Sequence, residues 1–193
     1  MVANRGYESV DAKSRLRLID AAAELLGIEG HPAFSARRIA DHAKLKPQLV
    51  HYYFRSMDEL VVAVFHRTAA EYFKFHDEAL SSPSPVRAIW NLNSHLPVAR
   101  LMLEFVALGK RYPLLREEMR ASGEAFRKLQ VEAIESCYRQ RGLGEGLPCP
   151  EALAMLLSAL ARSLVIEESV GVSTSHDALK DYVEGLLLRI EPA

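Results

Sequence analysis

Apolar residues recur three or four positions apart along most of the chain, which is the spacing of one face of an α-helix. The first such stripe predicts a helix over residues 14–26 and comprises Leu16, Ile19, Ala23 and Leu26. We expect Gly27 and Gly30 to end this helix, with Gly27 at the C-terminal cap, because glycine accepts the left-handed conformation common at helix C-termini. No segment shows the strict two-residue alternation of a half-buried strand. The pattern therefore predicts an all-α fold.

Two short helices are predicted next, over residues 35–43 and 47–53. Ser35 is a suitable N-cap for the first of them. Pro47 suits the first position of the second, where a missing N–H costs nothing. Because only residues 44–46 separate the two helices, they are expected to cross at a steep angle, as in a helix-turn-helix.

Longer helices follow. Ser56 and Glu59 have the spacing of a capping box, which predicts the start of a long helix there. The Ser/Pro-rich residues 81–85 end it, and a glycine-rich loop is expected at residues 142–150. The remaining predicted helices are a short one around Trp90 and longer ones over about 95–111, 113–141, 151–170 and 175–190.

The second short helix of the pair carries side chains suited to reading DNA. Gln48 can make two hydrogen bonds to adenine in the major groove, and Pro47 or Leu49 suits contact with a thymine methyl group. His51 and Tyr52 are placed for contacts to base edges or phosphates. For each of these residues the alternative is an ordinary solvated surface position. The predicted phosphate contacts flank this helix and are Ser35, Arg37, Lys44, Lys46 and Arg55.

The charge distribution agrees with this interpretation. The formal net charge is −1, but residues 1–57 carry nine Lys/Arg and six Asp/Glu, whereas residues 58–193 carry fifteen and nineteen. A basic amino-terminal segment on an acidic body is what a protein needs if only one end approaches phosphates. A basic excess of this size also arises by chance, so the motifs decide whether this segment is expected to bind DNA.

Residues 14–66 resemble the DNA-binding domain of the TetR family of helix-turn-helix transcriptional regulators. The resemblance rests on the run AAAELL at residues 21–26, Phe34-Ser35 with Ile39-Ala40, Tyr53-Phe54, and Ser56 with Asp58-Glu59-Leu60. The chain departs from the usual family pattern in having lysine in place of the turn glycine, and it also differs at three other positions. These departures are Lys44, Lys46, His51 and Met57.

The resemblance implies an organisation and a function. It implies a helix-turn-helix DNA-binding domain over residues 1–58 and a larger helical bundle for ligand binding and dimerisation over residues 59–193. The expected function is sequence-specific transcription regulation. The regulator is expected to be a repressor that a small, largely apolar ligand releases from its double-stranded DNA operator.

In the TetR family, which this chain resembles, the last two helices form a four-helix bundle with those of a second subunit. Residues 151–170 combine leucines with small residues, which lets helices approach closely, and apolar residues lie on more than one face. The alternative is that these leucines fill the core of the single chain. The expected homodimer contacts are Leu156, Leu160, Leu164, Leu179, Val183 and Leu186.

Residues 101–108 are apolar apart from Glu104, which predicts a centrally buried helix. An apolar cavity with a few polar groups is the usual form of a small-molecule site, and Glu104 is the candidate group to orient a ligand. The alternative is a structural ion pair of Glu104 with Arg100 or Arg162. The expected ligand contacts are Trp90, Met102, Glu104, Phe105 and Phe126, although such apolar residues also commonly form cores.

The sequence offers no pattern typical of an enzyme. The glycines at residues 142–146 are not followed by the Lys-Ser/Thr pair of a phosphate-binding loop, and Ser, His and Asp show no catalytic pattern. Cys137 and Cys149 have no metal-site spacing and the histidines form no metal motif. We therefore expect no enzyme activity, no metal and no cofactor.

Membrane insertion is not expected, because no apolar run approaches the roughly 20 residues that span a bilayer. The first 15 residues lack the apolar region of a signal peptide, so a cytoplasmic location is expected. The alternative function is a helical small-molecule-binding or adaptor protein that has lost specific DNA recognition. The basic residues around the helix-turn-helix favour the regulator.

Overall fold

The computed structural model describes the backbone of residues 4–94 and 96–192 and the side chains of residues 12–94 and 100–192. Within these ranges the regular structure is α-helical, with one 3-10 turn at His31–Ala33 and no strand, which confirms the predicted all-α fold. The helices are α1 Asn4–Glu29, α2 Ala36–His42, α3 Gln48–Tyr53, α4 Met57–Leu80, α5 Pro85–Asn93, α6 Leu96–Gly109, α7 Pro113–Arg141, α8 Pro150–Ser169 and α9 His176–Ile190.

The chain forms two compact units. The first contains the residues up to Glu71 together with Leu101–Arg120, and the second contains Tyr72–Arg100 and the residues from Ala121 onward. In the first unit α1 packs on α2 and α2 packs on α3. The ring of Phe65 on α4 meets that of Phe105 on α6 edge to face, with 5.3 Å between the ring centroids.

The second unit is built around α5, which packs on α8 and α9. Both oxygens of the buried Glu191 carboxylate accept hydrogen bonds at the start of α5, from the N–H groups of Val86 and Arg87, each at 2.9 Å. The core of the second unit contains the fully buried side chains Ile89, Ile134, Leu153, Leu157, Val183 and Leu187.

The predicted cap at Gly27 is wrong, because α1 continues to Glu29, and the helix ends at Gly30, the second glycine expected to stop it. The left-handed residue is Gly30, at φ +76°, and its N–H donates to the Leu26 carbonyl at 3.0 Å. A Cβ at Gly30 would lie 3.1 Å from Glu104 Oε2, so a neighbouring carboxylate occupies the space of a side chain. The end of the helix is therefore set by tertiary packing as well as by local sequence.

None of the helices in the described part of the chain is both long and apolar enough to cross a membrane.

Candidate functional site

The turn between α2 and α3 is a Schellman motif. The Lys44 N–H donates to the Asp41 carbonyl at 3.1 Å, and the Leu45 N–H donates to the Ala40 carbonyl at 2.9 Å. Lys44 occupies the left-handed position, at φ +54°. Its side chain is exposed, so the turn displays a cation just before α3.

The inner side of the helix pair is held by apolar burial and by two arginines of α1. Val50 and Phe54 are buried. The Arg17 guanidinium donates to the Ala43 carbonyl at 2.6 Å, which satisfies an end carbonyl of α2. The Arg15 guanidinium lies 4.9 Å from the centre of the Phe54 ring, a cation–π contact. These contacts fix the orientation of α3 on its unit.

The caps of α2 and α4 follow the sequence prediction with one difference. Ser35 Oγ accepts from the Arg38 N–H at 3.5 Å, and Ser56 Oγ accepts from the Glu59 N–H at 3.1 Å. Glu59 Oε2 accepts from the Arg55 N–H at 2.9 Å, one residue before the predicted partner, Ser56. The backbone between α3 and α4 is therefore anchored beside the outward face of α3.

The outward face of α3 presents Gln48, His51 and Tyr52, which are all exposed. Pro47 before the helix is exposed as well, and Leu49 is half-buried. The predicted phosphate contacts that surround this face are also exposed: Ser35, Arg37, Lys44, Lys46 and Arg55. Of these cations, Arg37 has an ion-pair partner, Asp41, with 4.0 Å between Nε and Oδ2. The residues predicted to contact DNA are therefore exposed, apart from the half-buried Leu49.

Comparison with known proteins identifies this module. Residues 18–64 match the family described as bacterial regulatory proteins, tetR family. This segment is a TetR-family domain. The match confirms the resemblance predicted from the sequence, and it covers the helix-turn-helix and the start of α4. No curated protein matches the chain.

Solved structures of similar fold cover nearly the whole chain. A TetR transcription regulator from Haloarcula marismortui has a TM-score of 0.73 at 12% identity, covering 91% of this chain and 97% of that one. A transcriptional regulator from Rhodococcus sp. Rha1 has a TM-score of 0.72 at 20% identity, with 91% and 96% covered. A candidate transcriptional regulator from Saccharomonospora viridis in complex with choline has a TM-score of 0.75 at 18% identity, with 90% and 96% covered.

The residues predicted to contact a ligand are distributed over both units. In the first unit Phe105 is buried against Phe65, and Met102 is half-buried. Glu104 accepts from the His31 N–H at 2.6 Å and lies 2.9 Å from His31 Nδ1. The partner of Glu104 is thus neither Arg100 nor Arg162, and this contact ties α6 to the 3-10 turn that precedes α2.

In the second unit Trp90 lines a cavity of about 180 Å³. Glu168 and Lys180 also line this cavity, with 3.7 Å between Glu168 Oε1 and Lys180 Nζ. The other lining residues are Ser94, Ala161, Leu164 and Val165. Phe126 lies in an aromatic cluster, stacked on Phe73 with 3.7 Å between ring centroids.

Sequence reasoning missed the polar groups beside Phe126. His76 on α4 and Gln130 on α7 are both buried, and Gln130 Nε2 lies 3.2 Å from His76 Nε2. The available signal was the helical spacing that places His76 one turn from Tyr72 and Leu80, and Gln130 one turn from Phe126 and Ile134. The pairing of the two requires the packing of α4 on α7, which helical spacing does not give.

The residues predicted for the dimer interface differ in exposure. Leu156 is exposed, whereas Leu164 and Val183 are buried within the chain itself. Leu160, Leu179 and Leu186 are half-buried. Further exposed apolar side chains on α8 and α9 are Met155, Ile166, Tyr182 and Leu188.

Proposed function

We propose that this chain is a DNA-binding transcriptional regulator whose α3 enters the major groove of a double-stranded operator. The observation that carries the proposal is the division of α3 into two sides. Val50 and the following Phe54 anchor one side, while Gln48, His51 and Tyr52 are displayed on the other. Gln48 reads a base, and the surrounding cations contact phosphates. In this proposal residues 1–58 form the DNA-binding domain.

The regulator acts as a homodimer through α8 and α9. One helix-turn-helix binds weakly, and two of them on a twofold axis read half-sites about 34–36 Å apart. Leu156, Met155 and Ile166 on α8 and Tyr182 on α9 supply an exposed apolar surface of the kind that subunit interfaces cover. Residues 59–193 thus carry dimerisation and ligand binding.

A small molecule bound in the second unit weakens operator binding, so the protein is a repressor released by its effector. The complex of the similar Saccharomonospora viridis protein with choline supports a ligand-responsive role. Trp90 and Phe126, predicted as ligand contacts, mark two places in this unit that combine aromatic side chains with polar groups. Linkage requires DNA to weaken effector binding by the same factor, typically about 5–150-fold.

Two substitutions test the DNA-binding surface once an operator has been isolated by sequencing the genomic fragments that the purified protein retains. Gln48→Ala should reduce the preference for the operator over mutated operators, at a cost of about 1–3 kcal/mol per half-site. Lys46→Ala should weaken all DNA sequences alike and reduce the slope of log K against log salt by about one per half-site. Fluorescence anisotropy at several salt concentrations measures both.

Reversed phenotypes would show that the register of α3 on DNA is wrong. A protein that retains no fragment, and whose weak binding to duplex DNA is insensitive to salt, would instead favour the alternative of a ligand-binding protein without DNA recognition.

A further inference from the structure

Four polar side chains from three helices form a network inside the second unit. His76 on α4 is 0% exposed and Gln130 on α7 is 4% exposed. Gln130 Nε2 lies 3.2 Å from His76 Nε2. At its other end, Arg127 Nη1 lies 3.4 Å from Gln130 Oε1 and 3.3 Å from Ser158 Oγ on α8. Buried polar groups are costly unless their hydrogen bonds are satisfied, so each member of this network has to be checked.

The donors and acceptors of the network fix the protonation of His76. Arg127 can only donate, so it faces the amide oxygen of Gln130, and the NH₂ group of Gln130 faces His76. His76 Nε2 is then the acceptor, and the single proton of the neutral ring lies on Nδ1. Burial lowers the pKa of His76, against a smaller opposing effect of Asp77, which favours this neutral form.

The Nδ1–H group of His76 is buried and has no hydrogen-bond partner among the described residues. A buried donor without an acceptor costs about 1–3 kcal/mol. The Nδ1–H group of His76 is therefore available to donate to a ligand atom that reaches the network.

Arg127 is a second group available to a ligand, because it forms no ion pair with any carboxylate of the described residues. Its two hydrogen-bond acceptors are a neutral amide and a neutral hydroxyl, and no carboxylate oxygen of the described residues lies within 4.0 Å. Burial lowers the pKa of the Arg127 guanidinium, and Arg162 lowers it further, with a smaller opposing effect of Glu124. A partly buried guanidinium without a carboxylate is suited to pair with an anion.

Aromatic rings adjoin this network. Phe126 precedes Arg127 in the chain and stacks on Phe73 with a 15° angle between the rings. Tyr72 and His76 meet Phe126 edge to face, at 5.0 and 5.1 Å between ring centroids. Phe73 and Phe126 are only half-buried, so the accessible part of this stack is suited to contact another flat ring.

We propose that this network binds small aromatic carboxylates. Arg127 pairs with the carboxylate, the ring lies against Phe126 and Phe73, and His76 Nδ1–H donates to a second oxygen on the ring. The cavity beside Trp90 is less suited to anchor an anion, because its lysine, Lys180, already lies 3.7 Å from the Glu168 carboxylate. The role of the site as an effector site rests on the proposed function, whereas binding itself is tested without DNA.

The experiment is calorimetric titration of the full-length protein with 4-hydroxybenzoate, benzoate and the uncharged 4-hydroxybenzamide. We expect the wild type to bind 4-hydroxybenzoate about tenfold or more tightly than the amide, because only the acid pairs with Arg127. Arg127→Gln should bring this ratio close to one. Arg127→Lys should restore part of it, and Arg139→Gln, the same change at an exposed arginine of α7, should leave it unchanged.

His76→Gln tests the second anchor. Glutamine can still accept from Gln130 through its amide oxygen, but its NH₂ group does not reproduce the position and direction of Nδ1–H. This variant should therefore lose the preference for 4-hydroxybenzoate over benzoate while keeping that for the acid over the amide. If Arg127→Gln fails to fold, the acid-to-amide ratios of the wild type and of Arg127→Lys decide the question.

Absence of binding, an acid-to-amide ratio near one in the wild type, or a ratio that Arg127→Gln does not change would overturn the proposal. Titration of 4-hydroxybenzoate into the protein–DNA complex separates this result from the proposed function. If the acid binds as expected but leaves the DNA complex intact, the site is supported and release by an effector of this class is excluded.

Discussion

Lys44 combines two roles that oppose each other at a single position. Its backbone adopts the left-handed conformation that closes the Schellman motif, which costs an L-residue roughly 1–2 kcal/mol relative to the right-handed form. Glycine would adopt it without this cost. The lysine side chain, however, places a cation beside the exposed face of α3. The turn therefore accepts strain at a position where a charge is useful for DNA binding.

Replacing Lys44 should separate these two roles. We expect Lys44→Gly to raise the free energy of unfolding by about 0.5–1 kcal/mol, because relief of strain exceeds the entropic cost of glycine. The variant should also lose about one unit of salt slope per half-site in DNA binding. Chemical denaturation and fluorescence anisotropy measure the two effects. Lys46→Ala is the control, since it removes a charge at a position without a positive φ; a loss of stability in Lys44→Gly would contradict the interpretation.

His76 should give the protein a pH-dependent stability. Burial lowers its folded-state pKa below the ordinary 6.5, so the unfolded chain binds a proton at higher pH than the folded one. Its contribution is therefore complete above about pH 6.5 and declines as the pH falls through that value towards the lowered pKa. Denaturation curves between pH 7.5 and about 5 should show a smaller loss for His76→Gln than for the wild type. If stability fell equally with pH in the two proteins, His76 would not be the cause of the loss.

At the scale of helices, the start of α5 shows how a distant residue satisfies a helix end. The first N–H groups of a helix have no partner inside it and carry a partial positive charge. Here the buried Glu191 carboxylate accepts from Val86 and Arg87, about a hundred positions earlier in the chain. The Arg87 side chain also pairs with Glu184 at 2.6 Å, in a more exposed position.

Glu191→Gln should therefore destabilise the protein by about 1–2 kcal/mol. A neutral amide can accept only one of the two hydrogen bonds and turns its NH₂ group towards the other N–H. Glu184→Gln is the matched control and should cost less than about 1 kcal/mol, because exposed ion pairs contribute little. Urea denaturation of both variants checks the difference, and equal effects would show that the buried carboxylate has no special role.

The spacing of apolar residues predicted most of the helices, because the residues that a helix buries recur every three or four positions. α7, at Pro113–Arg141, has the predicted ends, and α2 and α3 differ by one residue at their termini. The sequence offered both Gly27 and Gly30 as the end of α1, and it could not show that the Glu104 carboxylate of a distant helix lies where a side chain at position 30 would stand. The outward face of α3 follows from local spacing, whereas the contact of His76 with Gln130 depends on how two helices pack.

At the scale of the whole molecule, apolar surface remains on α8 and α9 after the chain has folded. Met155, Leu156 and Ile166 on α8 are each about half exposed, and Tyr182 on α9 is 69% exposed. Leu164 and Val183, which the sequence also suggested for the interface, are buried in the core instead. Sequence pattern alone did not separate the two sets, because both consist of apolar residues at helical spacing on the same two helices.

The exposed set gives a sharper test of the dimer than the buried one. Leu156 is 45% exposed in the single chain, so Leu156→Glu should leave the fold intact. In the proposed dimer the same glutamate loses its water, which costs several kcal/mol if it remains unpaired. We therefore expect sedimentation velocity to show dissociation at micromolar concentration, with unchanged helix content by circular dichroism. DNA binding should weaken as the dimer dissociates, because two linked helix-turn-helix units are needed to hold both half-sites.

Leu129→Glu is the matched control, since Leu129 on α7 is 38% exposed and lies outside the proposed interface. If both variants remain dimeric, the subunits associate through another surface; if both dissociate, the interface includes α7 as well.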